Sequence, residues 1–588
     1  MVPGTRRWRS AVALLAGFGL AAAVAAGIGG ARADDTTVSA PQAPGKPTAE
    51  QESERILAAA AAARSIDREV GKVLLAEGID PAGPSDDAEF LRRVTLDLIG
   101  APPTEEEVKA FLASKDPVKR SAKIEELLKS PLFGDRMGDL WGRLLFSGIK
   151  KYPQPEVQKV FAWLAEGFNQ GKGMDWLVRE LVTATGNTQD NPALAYTLRF
   201  RDGGIPADIA GTTSRVFLGV QIQCAQCHDH PYEPWKKGEF AGFAAFFNLV
   251  QPRVADPMDK KGGGFVVEDP PMRALVRSKG RGGEGADIKG AARADPKFLG
   301  GPVYHDSEDT TRRRALADWI LDRKNPWFAK AMVNRVWSWY FGRGIFNPVD
   351  DFRTDTVPTH PALLDTLALG FAESGYDLRF LARAITLSGT YQRTSRLPKD
   401  MQAAAKRGKE DDAAVEKLDH LYARGPIKPL TADQVFDSVL RITGMDDAFR
   451  RLNRAEIERA KVFLLQQFVS EIDDDEMNSS EQWAGTIPQG LLLMNGPLTQ
   501  VGTRATAAAG RGDRLSILAR ENTLHRVLDD TKDAGARVDR IYLVALGRHP
   551  SEHEASEAAV FAARGKAPQG WEDLFWALIN CSEFMSNH

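Results

Sequence analysis

Cysteine is almost absent from this chain. Its 588 residues include three, Cys224, Cys227 and Cys581, too few for the disulfide framework that holds many small exported domains together. No sign of charge dominates: 76 Lys and Arg stand against 79 Asp and Glu, for a formal net charge of -3. A nucleic-acid partner calls for a basic excess, so none is expected. After the first 30 residues no apolar run is long enough to span a bilayer. Also missing are G-x-S-x-G, H-E-x-x-H and a dinucleotide-binding glycine fingerprint in a supporting context, which leaves serine-hydrolase, zinc-protease and Rossmann readings without a foothold. The carboxylates are many but unpaired in sequence and nominate no hydrolytic pair.

What is there begins at the N-terminus. Arg6, Arg7 and Arg9 precede an uncharged Ala-, Gly-, Leu- and Val-rich stretch from Ala11 to Gly30, and Ala31-Arg32-Ala33 follows as an A-x-A site. That order predicts a secretory signal peptide over residues 1–33. The alternative is a retained anchor, since about 20 apolar residues just span a bilayer. Cleavage would remove four Arg and no acid, taking the formal charge from -3 to -7. The expectation is an exported protein of the periplasm or cell envelope, with no membrane span after cleavage. Residues 34–50 are rich in Pro, Thr and Ala without periodicity and read as a flexible tether.

Hydrophobic residues make up 43% of the chain, and its length suits roughly two to four domains with a sizeable core. From 51 to 250 helical signals recur. Phe90, Leu91, Val94 and Leu98 fall on one helical face, Pro102-Pro103 interrupts, and Thr104 with Glu107 forms a capping box. Asp116-Pro117 is expected to open a helix through Ile124, Leu127 and Leu128. Further patterns cover about 155–168, 174–185 and 206–222. Residues 251–305 break the pattern with Gly262-Gly263-Gly264 and a second Gly-rich run, and short strands are expected near Phe265-Val266-Val267. Helices resume over 306–588, with capping boxes at Thr431–Gln434 and Ser551–Glu554 and Gly444 placed as a terminator. The fold class is therefore mainly α: two helical halves joined by an irregular Gly-rich connector, with minor β in that connector.

The chemistry concentrates in CAQCHDHPYEPW, residues 224–235. Cys224-Ala225-Gln226-Cys227-His228 is C-x-x-C-H, in which two thiols add to the two vinyl groups of a haem and the adjacent His supplies the proximal iron ligand. One covalent haem c held by Cys224, Cys227 and His228 is the leading expectation. The alternatives are a zinc knuckle using Cys224, Cys227, His228 and His230, a local disulfide, or chance. Zinc sites usually space their ligand pairs further apart. His230 is expected to make a surface or propionate-side contact. The sixth ligand is open, with Met258, Met272, His305, His360, His420 and His588 as candidates. Cys581 reads as a buried small hydrophobe. The acidic run Glu471–Glu476 lacks the spacing of a calcium loop and reads as solvated. Trp337 and Tyr340, three apart, read as core rather than as part of an anion- or sugar-binding surface.

Longer stretches carry a resemblance. FLRRVTLDLIGAPPTEEEVKAFL, FLGVQIQCAQCHDHPYEPW and KGEFAGFAAFF resemble the domain of unknown function 1549, the second planctomycete-type cytochrome domain. RRALADWILDRKNPWFAKAMVNRVWSWYFGRGIFNPVDDFR, PTHPALLD, SGTYQRTS, PLTADQVFDSVL, IPQGLLLMNGP and LFWALINCSEFMSNH resemble its usual companion, number 1553. The resemblance covers nearly all of the chain after residue 33. It implies a cytochrome association through the C-x-x-C-H motif and frequent linkage to a separate haem-binding domain. No second C-x-x-C-H lies between Asp34 and Phe90, so a redox partner of that kind would be another protein. Cys581 stands where similar proteins often have Ser or Thr, which argues against a site role. Asn334, Arg335, His360 and His588 also lie in matched stretches, without an implied role.

Three readings follow. The first is an exported c-type-haem protein in electron transfer, or the haem-bearing part of an oxidoreductase. The second is a haem-free binding or scaffold module of the cell envelope, with a disulfide or zinc at the motif and a link to polysaccharide handling. The third is a non-redox enzyme using His230 or His360.

Overall fold

The computed structural model describes residues 48–146, 155–200, 204–255, 264–270, 294–307, 309–405, 407, 411–445, 494–505, 522–564 and 567–588. The expected signal peptide, almost all of the tether, Met258, Met272 and the acidic run 471–476 lie outside them. The described residues are mainly helical, and all belong to one compact unit, Lys46–His588. None of their helices is long and apolar enough to cross a membrane.

The first seven helices are α1 (Ala49–Ala76), α2 (Asp87–Ile99), α3 (Glu105–Ala113), α4 (Lys119–Lys129), α5 (Pro131–Phe146), α6 (Pro155–Asn169) and α7 (Met174–Thr183). The Thr48 side chain caps α1, which starts at the end of the expected tether. The Thr104–Glu107 box closes in both directions, as its spacing requires. Two expected boundaries move. Gly100 ends α2 in the left-handed conformation (φ 79°) before the Pro pair is reached. Helix α4 starts at Lys119 because the Asp116 carboxylate is used on the Val118 amide in a turn ahead of it.

After the short α8 (Leu194–Leu198) comes α9 (Ala207–Thr213), which widens into a π-helical turn, Ser214–Leu218. Gly219 closes that turn at φ 68°, where an added Cβ would also meet Ala331 at 3.2 Å. Helix α10 (Lys237–Ala244) leads into the connector. There the expected strands appear as β2 (Gln251–Val254) and β3 (Phe265–Glu268), antiparallel, with β1 (Gly186–Asn187) on the far side of β3. Arg313 fastens this sheet to the body by donating to Asp269 (2.9 Å) and to the carbonyls of Val182 and Ala184. Beyond it run α11 (Arg312–Leu321), α12 (Phe328–Phe341), α13 (Pro361–Glu373), α14 (Leu378–Leu387) and α15 (Ala432–Thr443), then α16 (Ala534–Leu546) and α17 (Gln569–Ile579) among the later helices.

The two expected halves share their packing. One apolar cluster joins Phe90, Trp141, Phe217 and Ala225 to Trp337, Phe371 and Tyr422. A second gathers Val435, Phe436, Ile541, Trp571 and Phe575 around Leu96 of α2. Helix α2 therefore meets both clusters, and every residue from Glu89 to Ile99 is buried, as expected of a helix enclosed on all sides. The sequence changes character at the connector, whereas the packing changes near Lys428. There a two-residue strand, β4 (Lys428–Pro429), pairs with β5 (Ser586–Asn587).

Candidate functional site

The segment after Gly219 carries a period of three: Ile222 and Ala225 are buried, while Gln223, Cys224, Gln226 and Cys227 face solvent. That is the period of a 3-10 helix, and Gln223–Gln226 forms one. Cys224 lies in that turn, and Cys227, three residues on, is its C-terminal cap. Both thiols are free and exposed. Ala225 packs into the first cluster beneath them.

The two histidines that follow are held in opposite ways. His228 is exposed, and its Nδ1 lies 2.7 Å from the carbonyl oxygen of Asp229. A carbonyl only accepts, so Nδ1 carries the proton and the lone pair is left on Nε2. The His230 Nδ1 accepts from the amides of Glu233 (2.9 Å) and Tyr232 (3.2 Å), so the proton of that ring sits on Nε2. His230 is a loop cap whose remaining nitrogen is a donor, which removes it from the zinc set. No group of three or more His, Cys, Asp or Glu suited to a metal ion occurs among the described residues.

The loop is tied at several points. The His230 amide donates to the Trp235 carbonyl at 2.8 Å. The Asp229 carboxylate accepts from the Lys237 amide (2.9 Å) at the start of α10 and pairs with the Lys236 ammonium (3.3 Å). Those two donors, the amide first, hold its pKa below the usual value. The Glu233 carboxylate accepts from the Thr354 amide (3.2 Å) and hydroxyl (3.1 Å), and the Trp235 ring meets that of Trp327, centroids 6.3 Å apart. Both halves of the sequence thus fix the loop, while Tyr232 at its tip is 88% exposed.

The remaining candidates lie elsewhere. His305 is exposed. His360 is 1% exposed, its Nδ1 on the Thr359 hydroxyl and its ring on Tyr422; burial, and then the charge of His420, lower its pKa to about 4. His420 is half-buried, and burial lowers its pKa too. His588, at the end of β5, is lowered chiefly by burial and then by Arg92. Cys581 is partly buried against the second cluster, its sulfur accepting from the Phe584 amide, and burial pushes its thiol up. Trp337 and Tyr340 are core residues, as their spacing suggests.

Asn334 and Arg335 gain structural roles that no sequence signal announced. The Asn334 amide group bonds both Phe346 main-chain atoms and the Val349 carbonyl. Arg335 pairs with Asp350 and donates to the carbonyl of Val216, in the π-turn that leads to the motif.

Residues 65–252 match the family described as PSCyt2, protein of unknown function (DUF1549), and residues 312–562 match PSD1, protein of unknown function (DUF1553). No curated protein and no solved structure matches the chain. The two matches contain the motif loop and the segment that braces it, and the chain belongs to the DUF1549 family over the first range and to the DUF1553 family over the second.

Proposed function

We propose that this is an exported protein bearing one covalent c-type haem at Cys224, Cys227 and His228, serving in electron transfer or as the haem-bearing part of an oxidoreductase. The reading is carried by the donor set of the loop. Two free, exposed thiols stand three residues apart, one within a 3-10 turn and one at its end, and the next residue is a histidine whose Nδ1 is engaged by a carbonyl, leaving Nε2 as the ligating atom. Each thiol would add across one vinyl group, sulfur to one carbon and hydrogen to the other, with no net oxidation. When bound, haem supplies a one-electron change at iron. The chain's own part is to fix the two sulfurs, to hold the His228 ring in the tautomer that a metal needs, and to brace the loop through His230, Glu233 and Trp235. A redox partner would be a separate cytochrome or similar protein, met at the exposed loop.

The same i,i+3 pair favours one other reading, a haem-free envelope module closed by a Cys224–Cys227 disulfide, because two thiols so close along a tight turn also suit that bond. An absorption spectrum, oxidised and reduced, with intact mass on the same sample, separates the two. The protein is to be made in a periplasm with cytochrome c maturation machinery present. Sharp reduced bands and one added covalent haem are expected. A colourless protein of bare polypeptide mass overturns the haem reading, and a deficit of two hydrogens identifies the disulfide.

A further inference from the structure

We infer that Asp229 is a positioning residue, setting which nitrogen of His228 carries the proton. The group that does this is the peptide between Asp229 and His230, and both sides of it are held. Its N–H donates to the Trp235 carbonyl at 2.8 Å. In a planar trans peptide the carbonyl points away from the N–H, so this bond turns the Asp229 oxygen toward the His228 ring, where it meets Nδ1 at 2.7 Å. From the other side the Asp229 carboxylate is fastened to the Lys237 amide at 2.9 Å and to the Lys236 ammonium at 3.3 Å. The main-chain acceptor is thus held by the side chain of its own residue, which is fixed to the first turn of α10.

The consequence extends along the loop. His230 is capped through Nδ1 and keeps its proton on Nε2, while His228 keeps its proton on Nδ1. Two histidines separated by one residue are locked in opposite tautomers, and only His228 presents Nε2 as a lone pair. The tautomer assignment stands on the loop geometry alone; its effect at an iron rests on the haem reading. A ligand ring that donates its other N–H to a fixed carbonyl is the more basic ligand, which favours the oxidised metal.

The test uses the full chain produced without haem, labelled with 15N-histidine. Long-range 1H–15N spectra above pH ~8, where imidazoles are neutral, distinguish the two tautomers, and His228→Gln and His230→Gln assign the signals. His228 is expected to favour Nδ1–H about fivefold, the bias one ordinary hydrogen bond supplies, with His230 showing the opposite pattern in the same spectrum. Asp229→Ala is expected to abolish the His228 bias and leave His230 unchanged. Asp229→Asn, which keeps an oxygen for the Lys237 amide, retains it. A His228 ring in the Nε2–H form, or a bias that survives Asp229→Ala, overturns the inference. In haem-loaded protein Asp229→Ala should raise the midpoint potential while Asp229→Asn leaves it near the parent value; an unchanged potential in the Ala variant counts against the positioning role. Failure to attach haem removes the haem reading and leaves the tautomer result to decide on Asp229.

Discussion

The motif loop and the centre around Asp97 both consist of chemically active side chains held by hydrogen bonds, and they differ in where the partners come from. In the loop, His228 is held by Asp229, Asp229 by Lys236 and Lys237, and His230 by the amides of Tyr232 and Glu233. All lie within one ten-residue stretch, 228–237, at the surface. At the centre, Asp97 accepts from Lys428, Tyr391 and Asn587, each at 2.7 Å. Lys428 also donates to the Trp339 and Tyr340 carbonyls. Next to Asp97, Arg93 holds the carbonyls of Tyr391 and Arg393, and Arg92 that of Phe584. These groups come from opposite ends of the sequence and are enclosed. Burial, and then Asp97, raise the Tyr391 phenol strongly, and burial lowers Lys428. A local network on the surface can vary without disturbing the fold. A long-range network inside cannot, because each group removed leaves another unpaired away from water.

The largest expected effect follows. Asp97→Ala leaves the Lys428 ammonium buried without a counter-charge, and should cost about 3–5 kcal/mol of stability, read from the chemical-denaturation midpoint. Asp97→Ala combined with Lys428→Met removes both charges and should recover part of that loss. If the single variant costs no more than an ordinary surface change, the centre is not the framework its geometry describes.

A second effect depends on pH. The folded-state pKa of His360, about 4, lies below the 6.5 of an ordinary imidazole. Between those values the unfolded chain binds a proton that the folded chain refuses. Stability is therefore fully present above pH 6.5 and declines as pH falls toward 4, by about 3 kcal/mol from this group. His360→Phe should flatten the acid side of the stability profile. A residual slope of the same sign is expected from His420 and His588, whose pKa values are also lowered.

The same contrast explains what could be read from the sequence. Helices with local signals were legible: the Thr104, Thr431 and Ser551 boxes form, Gly444 terminates its helix, and the Phe265 strand lies where apolar residues interrupt the Gly-rich connector. The motif was legible because C-x-x-C-H is contiguous. Helix α2 was half legible. Phe90, Leu91, Val94 and Leu98 marked one buried face, but Arg92, Arg93 and Asp97 carried no sign that they too are enclosed, since the groups that hold Arg92 and Asp97, and the carbonyls that hold Arg93 beside its local partner Glu89, lie hundreds of residues away. For the same reason the chain divides at the connector in sequence but near Lys428 in packing. The opposite tautomers of His228 and His230 were illegible because spacing does not specify whether a ring nitrogen meets a carbonyl or an amide.

A smaller effect tests how far the loop is independent. Glu233→Ala removes the bonds to Thr354 and should cost about 1 kcal/mol. Hydrogen exchange should quicken over 228–235 and stay unchanged in α2. Faster exchange in α2 would mean that the loop and the centre are coupled.

The smallest effect on stability is expected from the residues with the largest effect on chemistry. Cys224→Ser with Cys227→Ser alters two exposed side chains and should move the unfolding free energy of haem-free protein by less than about 0.5 kcal/mol. The same pair should remove all covalently bound haem, whereas Asp97→Ala, kept at a temperature where it stays folded, should retain it. A disulfide at this position closes so short a loop that its loss would cost about 2 kcal/mol, and reduction of the parent protein would then lower the midpoint by the same amount. The stability of the double-Ser variant thus separates the two uses of the thiols even before any absorbance is measured. An unchanged midpoint in both the variant and the reduced parent means that the pair contributes nothing to the fold, and is held on the surface for a group that the polypeptide does not itself supply.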